Sequence, residues 1–533
     1  MNPPGGTDQR AAAPVGRRAA LMGVATAVSR VIGFVRVLVI AAVLGTTHLG
    51  NTFQGSNLVS NVLFELLAAG ALSAVLVPAF VERFARGRDD EAESLAGSLL
   101  GVAMVVLGAV ALAGVLAAPW IARLLTAGAD LPPEEAARQR DLTTFLLRFF
   151  IPQVLLYAFG AVATAVLHAR RRFAVPAMAP IGNTIVMVAG MAIFAVLRDG
   201  AAPGFDLSVT EKVTLGLAGT LGVAAFVGVP VAALYRDGFR LRPRLFRREP
   251  GVGDAVRHAA WAGFQNASVG ILLGTAIVVG MAVPGGVVAY YVAYTFFLVP
   301  YAVLGQSIHD VILPELASDA GGGDHESFGR HLRWGLDSMA LLVVPATAVY
   351  VALGRPIMEV VAFGETTDLG VRLMAGALGG LALGLLPYSA FLLLTRASYA
   401  LGDSRTPTVV SVGSALVGAG FMALVAPRFG PEGRLVAMGL GLTVAYTLAS
   451  LVLGSRVSAR LGERFLPMAL VRAVPVAAVL GAGAWAAWNL VDPSERLAQM
   501  AVLATLGIVG AGLYTAAVHP PPLRRLVRER MGA

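Results

Sequence analysis

Two permanent cations interrupt an apolar helix. In SRVIGFVRVLVIAAVLG (29–45), Arg30 and Arg36 stand among residues suited to lipid. A guanidinium keeps its proton and presents paired N–H donors in one plane, a geometry that takes a phosphate or carboxylate through two parallel hydrogen bonds. If the helix enters the membrane near Leu21, Arg30 lies about 13 Å deep and Arg36 about 22 Å deep in a core about 30 Å thick. A charge facing lipid near the midplane is costly, so Arg30 must face hydrated space or an acid. Arg36 is close enough to the far surface to snorkel. Six residues turn a helix through about 600°, leaving the two side chains about 120° apart and able to flank one cavity. Ser29 precedes the first arginine, and Gly33 between the two permits a bend or a close helix contact.

The sequence also supplies an acid. Glu65, in NVLFELLAAG, lies about 16 Å below the outer face by the same count, level with Arg30. Two readings follow: a structural Arg30–Glu65 ion pair, or an anion site whose pair opens when substrate arrives. Arg148 and Arg472 sit one or two turns from a membrane face and can snorkel. The seven histidines lack metal-ligand spacing. The His309–Asp310 and His325/His331 groups read as solvated. There is no cysteine, no Ser-His-Asp or paired-carboxylate arrangement and no P-loop, so we expect no metal, no cofactor and no enzymatic step.

The elements that must position these residues follow from composition. The 533 residues are 57% hydrophobic and 14% charged, with mean hydropathy +0.74. Apolar stretches of membrane-spanning length recur, and the ten-residue alternation of a membrane barrel is absent. The chain therefore reads as an all-α polytopic membrane protein with about fourteen spans, at 20–44, 53–81, 94–118, 142–167, 174–197, 213–235, 258–282, 287–313, 333–353, 370–400, 407–427, 434–455, 467–490 and 497–518. The net charge of +9 comes from 40 arginines and Lys212. The excess falls on the N-tail, the even-numbered connections and the C-tail, which predicts cytoplasmic termini for a multi-pass membrane protein. Nucleic acid is not an expected partner. The 236–257 loop holds seven arginines and should lie on anionic lipid headgroups.

An internal repeat organises the spans. Pro78 in VLVPAF and Pro314 in VILPEL are 236 residues apart; Pro152 and Pro387 are 235 apart. Six spans per repeat is an even number, so the halves insert the same way up, as two lobes related by an axis along the membrane normal with a cavity between them. The expected organisation is a disordered tail (1–19), an N-lobe (20–235), the basic loop (236–257), a C-lobe (258–455), two extra helices (467–518) and a basic tail (519–533). The four prolines, with Gly33, are the expected hinges.

SRVIGFVR (29–36), GALSAVLVP (70–78) and LLTRASYALGDSRTPT (393–408), with its Asp-x-x-Thr-Pro hairpin, resemble the MurJ/MviN family of the multidrug/oligosaccharidyl-lipid/polysaccharide exporter superfamily. The resemblance runs through about residues 17–460 and implies a lipid II flippase working by alternating access, with Arg30 and Arg36 on the diphosphate and the lipid tail in a groove beside the two C-terminal helices. It also implies the bacterial plasma membrane as the location and the cell-wall synthesis machinery as a partner. This sequence departs from the family pattern. Val37 replaces an acid, the second-helix arginines fall on Phe64 and Glu65, and the eighth-helix arginine and its nearby acid fall near Thr295 and Leu298. A fourth-helix basic residue is kept as Arg148. Span 11 lacks the acid or Asn of the sodium site described in some relatives, so sodium coupling is not carried over. A transporter of another polyprenyl-linked oligosaccharide and a non-transporting cell-wall scaffold are the alternatives.

Overall fold

The computed structural model describes residues 32–64, 70–244, 252–463 and 467–518, with backbone alone for 64, 70–75 and 252–265. Among the described residues the regular structure is helical. The helices are α1 (Ile32–Leu44), α2 (His48–Phe64), α3 (Gly70–Ala85), α4 (Asp89–Thr126), α5 (Pro133–Phe150), α6 (Gln153–Ala169), α7 (Ala174–Arg198), α8 (Val209–Arg236) and α9 (Val252–Met281). They continue as α10 (Gly286–Pro300), a π-helical turn (Tyr301–Gly305), α11 (Gln306–Gly322), α12 (His325–Val361), α13 (Asp368–Ala382), α14 (Leu385–Ala400), α15 (Arg405–Val425), α16 (Pro431–Leu461), α17 (Leu470–Val491) and α18 (Arg496–Val518). Ten helical stretches are long and apolar enough to cross a membrane, or eleven when α13 and α14, bent by 46°, count as one. Fourteen remains the sequence's own count. The other three expected spans fall on α1, on α2 with α3, and on α9, helices described only in part.

The expected hinge prolines meet two different fates. Pro152 separates α5 from α6, and Pro387 sits in the first turn of α14, just after the bend. Both lie where an amide N–H has no helical partner, so the missing donor costs little. Pro78 and Pro314, in contrast, lie inside α3 and α11. The eighth span runs on through a π-helical turn after Pro300, and the repeat offset carries 301–305 onto 65–69, outside the described residues.

The chain divides into two compact units, Thr52–Gly270 with the residues up to Leu44, and Ile271 onward with Gly45–Asn51. In the first, Gly190 and Ala218 let α7 and α8 approach closely: a Cβ on Gly190 would stand 2.4 Å from that of Ala218. Part of the basic loop is folded onto this unit. Phe239 and Leu241 are buried while Arg240 and Arg242 point outward. Arg244 N donates to Gly97 O at 2.8 Å, and the Arg170 guanidinium lies 4.7 Å from the Phe84 ring centroid and 5.1 Å from that of Phe239. The alternation puts apolar residues inward and leaves guanidiniums free for headgroups.

In the second unit Asn51 is fully buried and ties two helix ends together. Its amide donates to Val283 O at 2.7 Å, and its carbonyl accepts from Val287 N at 2.9 Å. One side chain thus satisfies groups that α9 and α10 leave open at their adjoining ends.

The Asp-x-x-Thr-Pro hairpin is a helix start. Asp403 Oδ1 accepts from Thr406 N at 2.9 Å, and Pro407 follows where no intrahelical donor is needed. Partial burial opposes ionisation of Asp403, but the hydrogen bonds from Thr406, then the Arg405 amide and the Arg460 charge, outweigh it and hold the carboxyl below its usual range. A depressed carboxylate stabilises the folded state above the ordinary carboxylate range and loses that contribution as pH falls through the depressed value. Asp403→Ala should therefore cost about 1 kcal/mol near neutral pH, with the deficit shrinking under acid. Thermal unfolding of the detergent-solubilised protein across pH reads this; a deficit constant down to strong acid would refute it.

Candidate functional site

Of the residues singled out from sequence, Ser29, Arg30 and Glu65 lie outside the described residues. Arg36 lies on α1 and is half-buried. Its Nε is buried and finds no hydrogen-bond partner among the described residues, and no described carboxylate forms an ion pair with it. Gly33 is three residues earlier, on the same helix face. A Cβ there would meet no atom within 4 Å, so this glycine is not demanded by packing among the described residues. Among the described residues nothing covers the helix face at Gly33, while Val37, next to Arg36, is buried at 4% exposure. A buried guanidinium donor with no partner among the described residues has the chemistry to take an anionic acceptor, because an unmet buried donor carries a desolvation cost. Arg148 lies on α5 and is exposed.

The break between α5 and α6 is lined by polar groups that the sequence reading passed over. Thr220 Oγ1 on α8 donates to Phe149 O at 3.1 Å, and Gln153 Nε2 donates to Thr220 Oγ1 at 3.1 Å. Ser60 Oγ on α2 donates to Gln153 Oε1, also at 3.1 Å. Tyr157 OH donates to Asn61 Oδ1 at 2.6 Å. A helix break within a membrane needs such replacements, since no lipid atom can satisfy the freed carbonyl. The signal was present as Ser60, Asn61, Gln153 and Thr220 within apolar spans.

In the second unit two apolar clefts flank α17. One, of about 790 Å³, is bounded by Thr347, Leu386, Pro387 and Trp485 among others. The other, of about 380 Å³, lies between α12, α17 and α18 and is lined by Leu304, Leu480, Leu506 and Tyr514. Their walls suit hydrocarbon. Thr295 returns its hydroxyl to Tyr291 O at 2.8 Å, so it brings neither charge nor a free donor to its helix face.

One sequence expectation fails outright. His309 is not solvated but buried, with 1% exposure. Its ring lies 5.6 Å from that of Tyr301, and Tyr301 packs in turn on Tyr388 at 5.0 Å. Tyr301, eight residues earlier in the same span, covers the ring and is itself backed by Tyr388 of α14, a neighbour that spacing along the chain does not reveal.

The family model described as "Lipid II flippase MurJ" matches residues 40–493. A protein of Rhizobium meliloti named "Probable lipid II flippase MurJ" is 26% identical over 509 residues, covering 94% of this chain and 92% of that one. The Vibrio cholerae protein of the same name is 26% identical over 394 residues, covering 72% of each. Among solved structures, "Lipid II flippase MurJ, inward closed conformation" superposes with a TM-score of 0.72 at 16% identity, covering 94% of this chain and all of that one. An inward-facing multidrug resistance MATE family transporter of the MOP superfamily follows at 0.63 and 13%, with 81% and 95% covered. At those identities the two structural likenesses speak for the fold.

Proposed function

We propose, because this chain belongs to the lipid II flippase MurJ family, that it moves lipid II, the undecaprenyl-diphosphate-linked peptidoglycan precursor, from the inner to the outer leaflet by alternating access. The observation that supports the reading in this chain's own residues is the buried Arg36 Nε, which has no partner among the described residues, on the helix face where none of them crowds Gly33. A diphosphate is the ligand class this donor suits, and a guanidinium held in low dielectric binds it without a change of protonation. Arg30 and Ser29 join Arg36 on the diphosphate, Glu65 competes for Arg30 in the empty state, and Arg148 adds positive charge. Gly33, Pro78, Pro152, Pro314 and Pro387 are the assigned hinges. The lipid tail runs along the apolar clefts beside α17.

The chain is an integral membrane protein. Cytoplasmic termini, headgroup contacts by the basic loop and association with cell-wall synthesis enzymes complete the reading, and no catalytic step or cofactor is assigned. Thr295, uncharged where the family carries a cavity arginine, favours one second reading: a different polyprenyl-linked oligosaccharide as cargo.

The decisive experiment depletes a host's essential flippase, supplies this chain and follows lipid II exposure on the outer face. Restored growth with restored exposure is expected. Correctly inserted protein that restores neither rejects the proposal. Accumulation of a different lipid-linked glycan on deletion, identified by mass spectrometry, would favour the second reading.

A further inference from the structure

The chain that leaves α8 is fastened to the first unit from Gly238 to Arg244. Gly238, at φ +80°, turns it, and Phe239 N donates back to Leu234 O at 3.0 Å. Arg240 N then donates to Glu93 Oε1 at 2.8 Å, Tyr235 OH to Leu241 O at 3.4 Å, and Arg244 N to Gly97 O at 2.8 Å. Two glycines of α4 make room for it. A Cβ on Gly97 would stand 2.5 Å from Arg242 O, and one on Gly101 would stand 2.2 Å from Arg244 O. The obstructing atoms are backbone, so a larger residue at either position lifts the segment away. Residues 239–244 thus form a strap that climbs α4 from the level of Glu93 to that of Gly101.

The climb carries arginines into the membrane. Glu93 is the last charged residue of α4 before Arg123, and Gly101 lies eight residues beyond it, about 12 Å along the axis. The backbone of Arg244 is at Gly101, but its side chain turns back: a Cβ on Gly97 would meet Arg244 Cγ at 3.2 Å and Cδ at 3.3 Å. A stem laid on an apolar helix and directed toward that helix's charged end is an arginine snorkelling to phosphate depth. Arg242 is exposed and Arg244 half-buried. The acids nearby are engaged with other arginines, Asp89 with Arg170, Glu91 with Arg88 and Asp237 with Arg172, and among the described residues neither strap arginine has an ion-pair partner. On the side of α4 that carries the two glycines, Val105 and Leu112 follow, exposed at 55% and 63%. Guanidiniums without acids therefore stand at the charged end of an exposed apolar stripe, which matches an amphiphile with an anionic head and a hydrocarbon tail.

We propose that the strap and α4 form a binding site for one anionic phospholipid of the cytoplasmic leaflet, with its phosphate on Arg242 and Arg244 and an acyl chain along Val105 and Leu112. Two residues of extended chain set the arginines about 7 Å apart, within reach of one phosphate. The proposal rests on the cytoplasmic placement of the basic loop and deepens its headgroup contact from a diffuse attraction to a single site. Diffuse attraction counts arginines alone, each contributing similarly near the surface. The site depends as well on the glycines that seat the strap.

Native mass spectrometry of the full chain in detergent, with phosphatidylglycerol or phosphatidylcholine added, reads the site. One phosphatidylglycerol should be retained in preference to phosphatidylcholine. Arg242→Gln combined with Arg244→Gln should weaken that retention about 10- to 100-fold. Gly101→Val, which keeps every arginine but lifts the strap, should weaken it as much, whereas Arg236→Gln, at an exposed position of α8 outside the strap, should change nothing. The arginine variants alter surface groups only and test the site even where Gly101→Val does not insert. Equal retention of the two lipids, equal losses in Arg236→Gln and the strap variants, or full retention in inserted Gly101→Val overturns the proposal. Undecaprenyl diphosphate that displaces phosphatidylglycerol at equal concentration would make the strap a cargo site and overturns it too. Failed complementation with lipid retention intact rejects lipid II transport alone.

Discussion

Arg36→Ala is expected to lower lipid II exposure by about 10- to 100-fold while leaving the protein inserted and as stable as its parent. A hydrogen bond to a charged group contributes about 1.5–3 kcal/mol, and each 1.4 kcal/mol is about a tenfold change. The stability half of the expectation separates binding from scaffolding. If a fixed carboxylate held Arg36, truncation would strand that acid in the membrane and lower the unfolding temperature. Among the described residues Arg36 Nε has no partner to strand, so the loss should appear in transport alone. Arg36→Lys keeps a cation but loses the planar fork and should recover part of the activity. Full activity in Arg36→Ala would remove this guanidinium from the substrate path. Normal growth in an Arg30→Ala, Arg36→Ala double variant would point to the non-transporting scaffold instead.

Part of this arrangement was legible in the chain and part was not. Apolar length located the helices because it reports directly on lipid. The repeat offset found Pro152 and Pro387, each at a break, since proline cannot continue an intact hydrogen-bond ladder. Pro314 lies inside α11, and the irregular turn of that span is at Tyr301–Gly305, where a ring packs over a glycine. Residues whose role depends on another helix stayed hidden. Nothing near Asn51 in sequence announces that it joins α9 to α10, and His309 beside Asp310 reads as a polar surface pair, although its ring is buried against Tyr301.

Gly380→Ala should be among the most damaging single changes outside the arginines, although alanine is the better helix former by about 1 kcal/mol. At the crossing of α13 and α16, a Cβ on Gly380 would stand 2.4 Å from Val436 O and 3.0 Å from Leu440 N. On the facing helix a Cβ on Gly439 would stand 2.6 Å from Ala377 O. The obstructing atoms are backbone, so no rotamer change relieves the clash, and the helices must part. Parting them also stretches the bond from Thr443 Oγ1 to Gly380 O, now 2.8 Å, where lipid offers no replacement. Helices in a membrane hold together largely through such close contacts between small residues. Overpacking of this kind costs about 1–3 kcal/mol, and the strained hydrogen bond adds to it, for a fall of about 1 to 4 °C in unfolding temperature. The neighbouring glycine is the control: a Cβ on Gly379 would meet nothing within 4 Å, so Gly379→Ala should be neutral or slightly stabilising. Gly439→Ala should resemble Gly380→Ala, and the pair should be less than additive because one separation of the helices relieves both clashes. Equal unfolding temperatures for Gly379→Ala and Gly380→Ala would mean that α13 and α16 do not cross at these residues.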